Sequence, residues 1–316
     1  MSVSPRVLFW ILPAVALLIL LPFMAPNFYT YTLALIFVVG LLTMSLNLAI
    51  GYAGLYQLHH GVFYGLGAYT VALLLVKTSL PAWVGFLAGP LVAAVLSLLM
   101  GLLCIRLSKL YFGMLQISLG SLVWAIALKW YSFTGGDNGI HGIPLPEILS
   151  SLHTAYYFIL TIMVLCVLAI YVIVKSPLGA TLQAIRDNPA RSEAIGVNVK
   201  NHQLIGLVMA GFFAGIAGVL FVVLEGSVFP DLMFWTLSLE ILIMCLLGGM
   251  FTFLGPLLGT AIIVTLRTFV GAYTEYWTMI MGLVLMMLIF FLPQGVLGYL
   301  EQRWKARRDS LLQEEA

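Results

Sequence analysis

Few of the 316 side chains are suited to chemistry, and their spacing narrows the kind. His59 and His60 stand together two residues after Gln57. Adjacent histidines can hold a metal or relay a proton. No acidic or cysteine residue lies near them in sequence, which favours a structural or interfacial role. Cys104, Cys166 and Cys245 each sit in an apolar run and form no C-x-x-C pair, so they read as small buried hydrophobes. Glu240 and Arg267 are the main ionisable residues within long apolar stretches. Such a charge costs about 2.5–3.5 kcal/mol on insertion scales, so the two are expected to face each other as a structural ion pair. No H-E-x-x-H, G-x-S-x-G or G-x-x-x-x-G-K-[ST] occurs. The chain therefore carries no motif for a metal hydrolase, an activated serine or a Walker-type phosphate cradle. No catalytic residue, metal site or cofactor of its own is expected.

The elements that must position these residues are read from composition. The chain is 62% hydrophobic and only 8% charged. Ordinary soluble domains are about 25% charged. With a mean hydropathy of +1.10, this excludes a soluble globular protein, a nucleic-acid binder and a disordered chain. The fold class expected is an all-α polytopic membrane protein. A spanning helix needs about 20 mostly apolar residues. The clear runs are Val7–Phe23, Leu33–Ile50, Trp83–Ile105, Leu110–Trp130, Ala155–Val174, Leu204–Leu224 and Met279–Leu292. Gly61–Val76 is short. Leu237–Tyr273 is too long for one crossing and is interrupted at Gly248-Gly249 and at Gly255-Pro256, so it reads as a hairpin folding near Leu254. About ten membrane segments result, some broken or re-entrant. Glu240 and Arg267 lie at similar distances on either side of the fold point.

Charge placement sets the orientation. With a cytoplasmic N-terminus and ten crossings, the inner loops hold Arg6; Arg106 and Lys109; Lys175, Arg186, Arg191 and Lys200; and Arg303, Lys305, Arg307 and Arg308. The outside holds only Lys77 and Lys129. This positive-inside bias predicts both termini in the cytoplasm. Residues 1–300 then form one transmembrane domain with a cytoplasmic loop at 175–203, and 301–316 form a cytoplasmic tail. No small-residue cleavage site follows Phe23, so the first segment is expected to stay as an anchor. Aromatic residues near segment ends, such as Trp83, Trp130 and Trp235, read as interfacial belts.

A plain anchor needs no glycine-rich interruptions, and this chain has several. Asn47, Gly51 and Gly54 end the second span, followed by Gln57, His59, His60 and then Phe63 and Tyr69 among further glycines. Irregular backbone at membrane depth is tolerated only where protein or a wet cavity satisfies it. Asn47, Gly51, Gly54, Gln57 and Phe63 are therefore expected to line or support a translocation path, with Tyr69, Gly248 and Gly249 as secondary members. The alternative is a tight turn with glycines for close packing. Gly211, Gly215 and Gly218 share one helical face, and Gly85/Gly89 and Gly255/Gly259 repeat a small-xxx-small spacing, all read as helix packing. The segment Thr134–Pro144 reads as an outside loop with few hydrophobes to hold it, either docking a soluble partner, covering an entrance or merely connecting.

The longest cytoplasmic loop encodes two short helices. Leu178, Leu182 and Ile185 fall at helical spacing, Asn188-Pro189 breaks the helix, and Ala190–Ile195 forms a second one stopped by Gly196. Arg186, Asp187, Arg191 and Glu193 mix the two signs of charge. That mixture favours docking on a partner over lying on lipid.

At these residues the chain resembles the LivM-like permease subunits of bacterial ABC importers for branched-chain amino acids. The markers are Asn47-Leu48…Gly51-Tyr-Ala-Gly54 with Phe63…Gly67-Ala-Tyr69; Thr134-Gly-Gly…Asn138-Gly-Ile…Gly142-Ile-Pro144; Ala184-Ile-Arg186…Ala194-Ile-Gly196; Ala214-Gly-Ile-Ala-Gly218; Ser238…Glu240…Gly248-Gly-Met…Gly255-Pro256; and Pro293-Gln-Gly295. Each is weak alone, and six in order are specific. The resemblance implies a multi-pass inner-membrane permease that pairs with a homologous second permease, two cytoplasmic ATPases that bind the ATP, and a periplasmic binding protein. The loop's two helices, Leu178–Gly196 with Leu182 among them, are expected to couple to a partner ATPase, and the resemblance further implies that Arg186, Asp187, Asn188, Arg191, Glu193, Ala194 and Gly196 belong to the segment seated in the ATPase groove. Where the family usually has Ser-Leu-Gly-His, this chain has Gln57-Leu-His-His60, which bears on the cargo: branched-chain amino acids or a related small amino acid or amide. A secondary transporter driven by protons or sodium is the competing class. Against it, few ionisable groups lie in the spans and no acid–histidine relay is visible.

Overall fold

The computed structural model describes residues 25–107 and 109–271 continuously, with scattered positions in 18–23, 273–299 and at 303. The expected first segment Val7–Phe23, last segment Met279–Leu292, both termini and the tail 301–316 lie outside the continuously described residues. Within them run helices α1 (Asn27–Asn47), α2 (Gly61–Lys77), α3 (Ala82–Cys104), α4 (Lys109–Lys129), α5 (Leu152–Lys175), α6 (Pro177–Asp187), α7 (Pro189–Ala194), α8 (Val199–Glu225), α9 (Trp235–Gly248) and α10 (Gly255–Gly271). Five stretches are long and apolar enough to cross a membrane: 27–52, 82–104, 110–129, 152–175 and 199–225. The protein is thus a multi-pass helical membrane protein. Helices α2, α9 and α10 are apolar but shorter. At about 1.5 Å per residue, the 17 residues of α2 and the 14 of α9 fall short of a hydrocarbon core about 30 Å thick.

Local signals start and stop these helices. Ser151 caps α5 by accepting from the Thr154 N–H, and Ser176 and Asn188 do the same for α6 and α7, each with proline at the first helical position. Gly226, at φ 61°, ends α8 in a left-handed turn.

Helices α1, α2 and α8 form the centre, while α4 and α5 leave most of their apolar surface facing outward. Small residues make the centre close. Gly215 abuts both Gly67 of α2 and Pro90 of α3; Gly218 lies on the backbone of Tyr64; and Gly211 lies on Ser97. Pro90 lies inside α3, where its Cα packs against Gly215. Of the two expected small-residue pairs, Gly255 and Gly259 are both tight, Gly259 against the Met244 carbonyl, while in the other Gly89 is tight against Val219 but a Cβ on Gly85 would meet only ordinary contacts at 3.7 Å.

The described residues are mostly helical, as expected, with one short pairing besides: Ile140–His141 pairs antiparallel with Ser227–Val228, Ile140 opposite Val228. That pairing also anchors the Thr134–Pro144 loop, which the sequence leaves without a hold. Gly139, at φ 69°, sits against the Val228 carbonyl, and Ile140 and Ile143 are buried.

Candidate functional site: a broken helix joined to the α6–α7 pair

The hydrogen-bond ladder of α1 changes at Asn47. Residues Leu48–Tyr52 form a π-helical turn, and the chain then runs without regular structure to His60. A π turn widens the ladder and commonly marks a functional position. Asn47 is 2% exposed. Its Nδ2 donates to the Thr252 carbonyl at 3.3 Å, and its Oδ1 accepts from Cys245 Sγ at 3.6 Å. Gly51 is required by contact, because a Cβ there would strike both the Asn47 side chain and the Met250 carbonyl. The break in α1 therefore rests on a second break, the bend between α9 and α10. In that bend Gly249 has φ 113°, and Gly248 packs directly on the Gly255 backbone.

Arg186, in the last turn of α6, completes the joint. Its Nη1 donates to the Gly51 carbonyl at 2.6 Å, and the guanidinium lies 5.1 Å from the centre of the Phe251 ring. Asp187 is 2.8 Å from its Nη2. Gly54, at φ 68°, lets the chain pass beneath Arg186, whose Cα would be 2.9 Å from a Cβ there. One side chain thus joins α6, the π turn and the α9–α10 bend.

The structure brings Asn47, Gly51, Gly54, Gly248 and Gly249 to this joint. Gln57 and Phe63 lie just beyond it. His60 Nε2 is 2.8 Å from Ser45 Oγ, and its ring stands edge-on to Phe63 at 5.7 Å. His59 is buried against Gly120 of α4. Gln57 is 1% exposed, and among the described residues neither atom of its amide finds a hydrogen-bond partner. Tyr69 stands apart, buried with Ile140, Val222 and Val228. Sequence reasoning missed Gln116, fully buried on the α4 face whose Gly113 and Gly120 meet Leu58 and His59. Its amide is also without a partner among the described residues, and its signal was a glutamine in an otherwise apolar run. Cys245 and Thr252 were missed as well, since nothing in their types points to Asn47. Among the described residues no three His, Cys, Asp or Glu side chains converge to hold a metal.

Helices α6 and α7 divide the residues expected to dock a partner. Leu182 and Ile185 are completely buried, and Leu182 lies over Gly206 of α8. Leu182 therefore holds α6 onto the membrane helices and presents nothing to a partner. Arg186 likewise points inward. Asp187, Asn188, Arg191, Glu193, Ala194 and Gly196 are exposed. Away from this end of the molecule, Arg267 Nη1 lies 3.2 Å from Glu240 Oε1, the acid mostly buried and the base about half exposed.

The family described as "Branched-chain amino acid transport system / permease component" matches residues 28–290. The chain is 28% identical over 312 residues to the high-affinity branched-chain amino acid transport system permease protein LivM of Escherichia coli K12, covering 90% of this chain and 73% of that protein. It is 27% identical, with the same coverage, to LivM of Salmonella typhimurium LT2. No solved structure matches the chain.

Proposed function

The chain belongs to the branched-chain amino acid transport permease family, and from that premise we propose that it is the LivM-like membrane subunit through which an ABC importer moves branched-chain amino acids or a related small amino acid or amide. Residues 1–300 form the permease domain, with ten crossings, both termini in the cytoplasm and the tail 301–316 beyond. The protein sits in the bacterial inner membrane. Its partners are a homologous second permease, two cytoplasmic ATPases that bind and hydrolyse the ATP, and a periplasmic binding protein.

The observation that carries this reading is the Arg186–Gly51 contact. It ties an exposed helix pair to the one place where α1 leaves α-helical geometry. Closure of the ATPases on the exposed face of α6–α7 moves that pair as a rigid body. The guanidinium passes the displacement to the π turn, and the turn passes it through Asn47 to the α9–α10 bend. Asn47, Gly51, Gly54, Gln57, Phe63, Tyr69, Gly248 and Gly249 line or support the path, and Glu240 and Arg267 brace the hairpin.

Uptake into right-side-out or reconstituted vesicles, with ATP inside on the ATPase side and an ionophore present, tests the class. ATP-dependent uptake that persists with gradients collapsed supports the importer. Uptake that stops despite ATP makes the protein an ion-coupled transporter.

A further inference from the structure

A cavity of about 550 Å³ opens at the end of the molecule away from α6 and α7, between α1, α2, α8, α9 and α10. Its polar wall is Tyr31, Tyr64, Glu225, Asp231, Glu240 and Arg267. Its deeper wall, one to three turns along α1, α9 and α10, is Leu35, Val39, Leu42, Met244 and Val264. The cavity exists because two elements stop short. After Gly226 the chain runs through Pro230–Met233, which packs on Gly65, before α9 begins at Trp235. Helix α2 also starts partway, where the Gly61 N–H donates to Ser238 Oγ at 2.9 Å. Interrupted helices of this kind are where transporters place small solutes.

Within the cavity the charges are unequal. Three carboxylates face one guanidinium, which pairs with Glu240. Tyr31 donates to Glu225. Tyr64, 2% exposed and edge-on to Phe221 at 5.6 Å, also lines the cavity.

We propose that this cavity is a binding site for a small zwitterion with an aliphatic tail, an α-amino acid, with Glu225 and Asp231 taking the ammonium, Arg267 the carboxylate, Tyr64 a hydrogen bond, and the α1–α9–α10 wall the side chain. The assignment rests on reading the chain as an amino-acid permease. It follows from the two signs of charge at one level and apolar walls below, the arrangement that fixes the head of an amphiphilic solute and buries its tail. It gives the permease a selective site distinct from the joint at Gly51.

The test uses the assembled permease pair with its ATPases and L-leucine as probe, without the binding protein for cysteine labelling and with it for uptake. A cysteine replaces Thr236, which lines the cavity, in a background lacking Cys104, Cys166 and Cys245. Millimolar L-leucine is expected to slow its modification by a charged thiol reagent several-fold. Leucinol, lacking the carboxylate, and 4-methylpentanoate, lacking the amine, are expected not to. Glu225→Gln should remove the protection and raise the KM for uptake about tenfold, the equivalent of one charge-assisted hydrogen bond. Co-purification of the ATPases shows that the variant is folded, and Tyr64→Phe, which keeps the ring, gives a second, milder loss of protection. If the importer takes up leucine yet leucine never protects the cysteine, the site is wrong and the functional reading stands. Equal protection by 4-methylpentanoate overturns the ammonium assignment. Neither uptake nor protection removes both.

Discussion

Arg186 donates from Nη1 to the main-chain carbonyl of Gly51 at 2.6 Å, joining residues 135 positions apart. Its side chain is 22% exposed, so the bond is largely shielded from water. A hydrogen bond from a charged group is worth about 1.5–3 kcal/mol net. Arg186→Gln should lower thermal stability by that order. It should also leave the ATPases attached while ATP hydrolysis no longer drives uptake. Co-purification and paired hydrolysis and uptake rates check this, and normal coupling in the variant would remove Arg186 from the force path.

The exposed half of the loop should behave differently. Glu193→Lys alters charge at a residue exposed among the described residues. Gly196 has φ 89° with open space around it, so Gly196→Asp strains the backbone rather than clashing. Both variants should insert normally yet release the ATPases on purification. Full ATPase retention with normal transport would end the assignment of α7 as the docking element.

Glu240 and Arg267 should show charge complementarity. Glu240→Arg or Arg267→Glu alone leaves a charge among apolar helices, and protein level should fall. The exchange of both should recover protein level, with uptake still impaired because the cavity they line is altered. A double variant whose loss is the sum of the two single losses would show that the pair does not interact.

Glycine packing makes a prediction with its own control. A Cβ on Gly67 would come within 2.5 Å of the Gly215 carbonyl, a backbone atom that cannot step aside. Gly67→Ala should cost about 1–3 kcal/mol through overpacking. Gly85→Ala meets only contacts near 3.7 Å and should melt as the parent does. Detergent melting curves of the two variants measure the difference.

Gln57 separates stability from transport. Its amide makes no hydrogen bond among the described residues, so Gln57→Leu should leave stability unchanged or raise it, while uptake falls if the residue serves the path. Gln57→Ala with unchanged rate and selectivity would remove it from the path.

The apolar runs determine by themselves where helices form. The helices α1–α5, α8, α9 and α10 coincide with eight of the ten expected segments, because length and apolarity are local properties and a membrane admits few alternatives to a helix. The α6–α7 pair was equally legible, since Ser176-Pro177 and Asn188-Pro189 are local start signals and Gly196 a local stop. Tertiary structure alone decided which faces turn inward. Helices α5 and α8 are almost equally apolar, yet α5 stays at the edge and α8 fills the centre. In lipid both the core and the surround are apolar, so hydropathy carries no inside and outside, and small residues such as Gly215 decide which helices approach. The same holds for single side chains. Arg186 reads as a docking charge in a polar loop, and Leu182 as part of the same surface. Only the fold, by placing Gly51 and Gly206 beneath them, turns both inward, because the partner of each lies far along the chain and is set by how the helices cross.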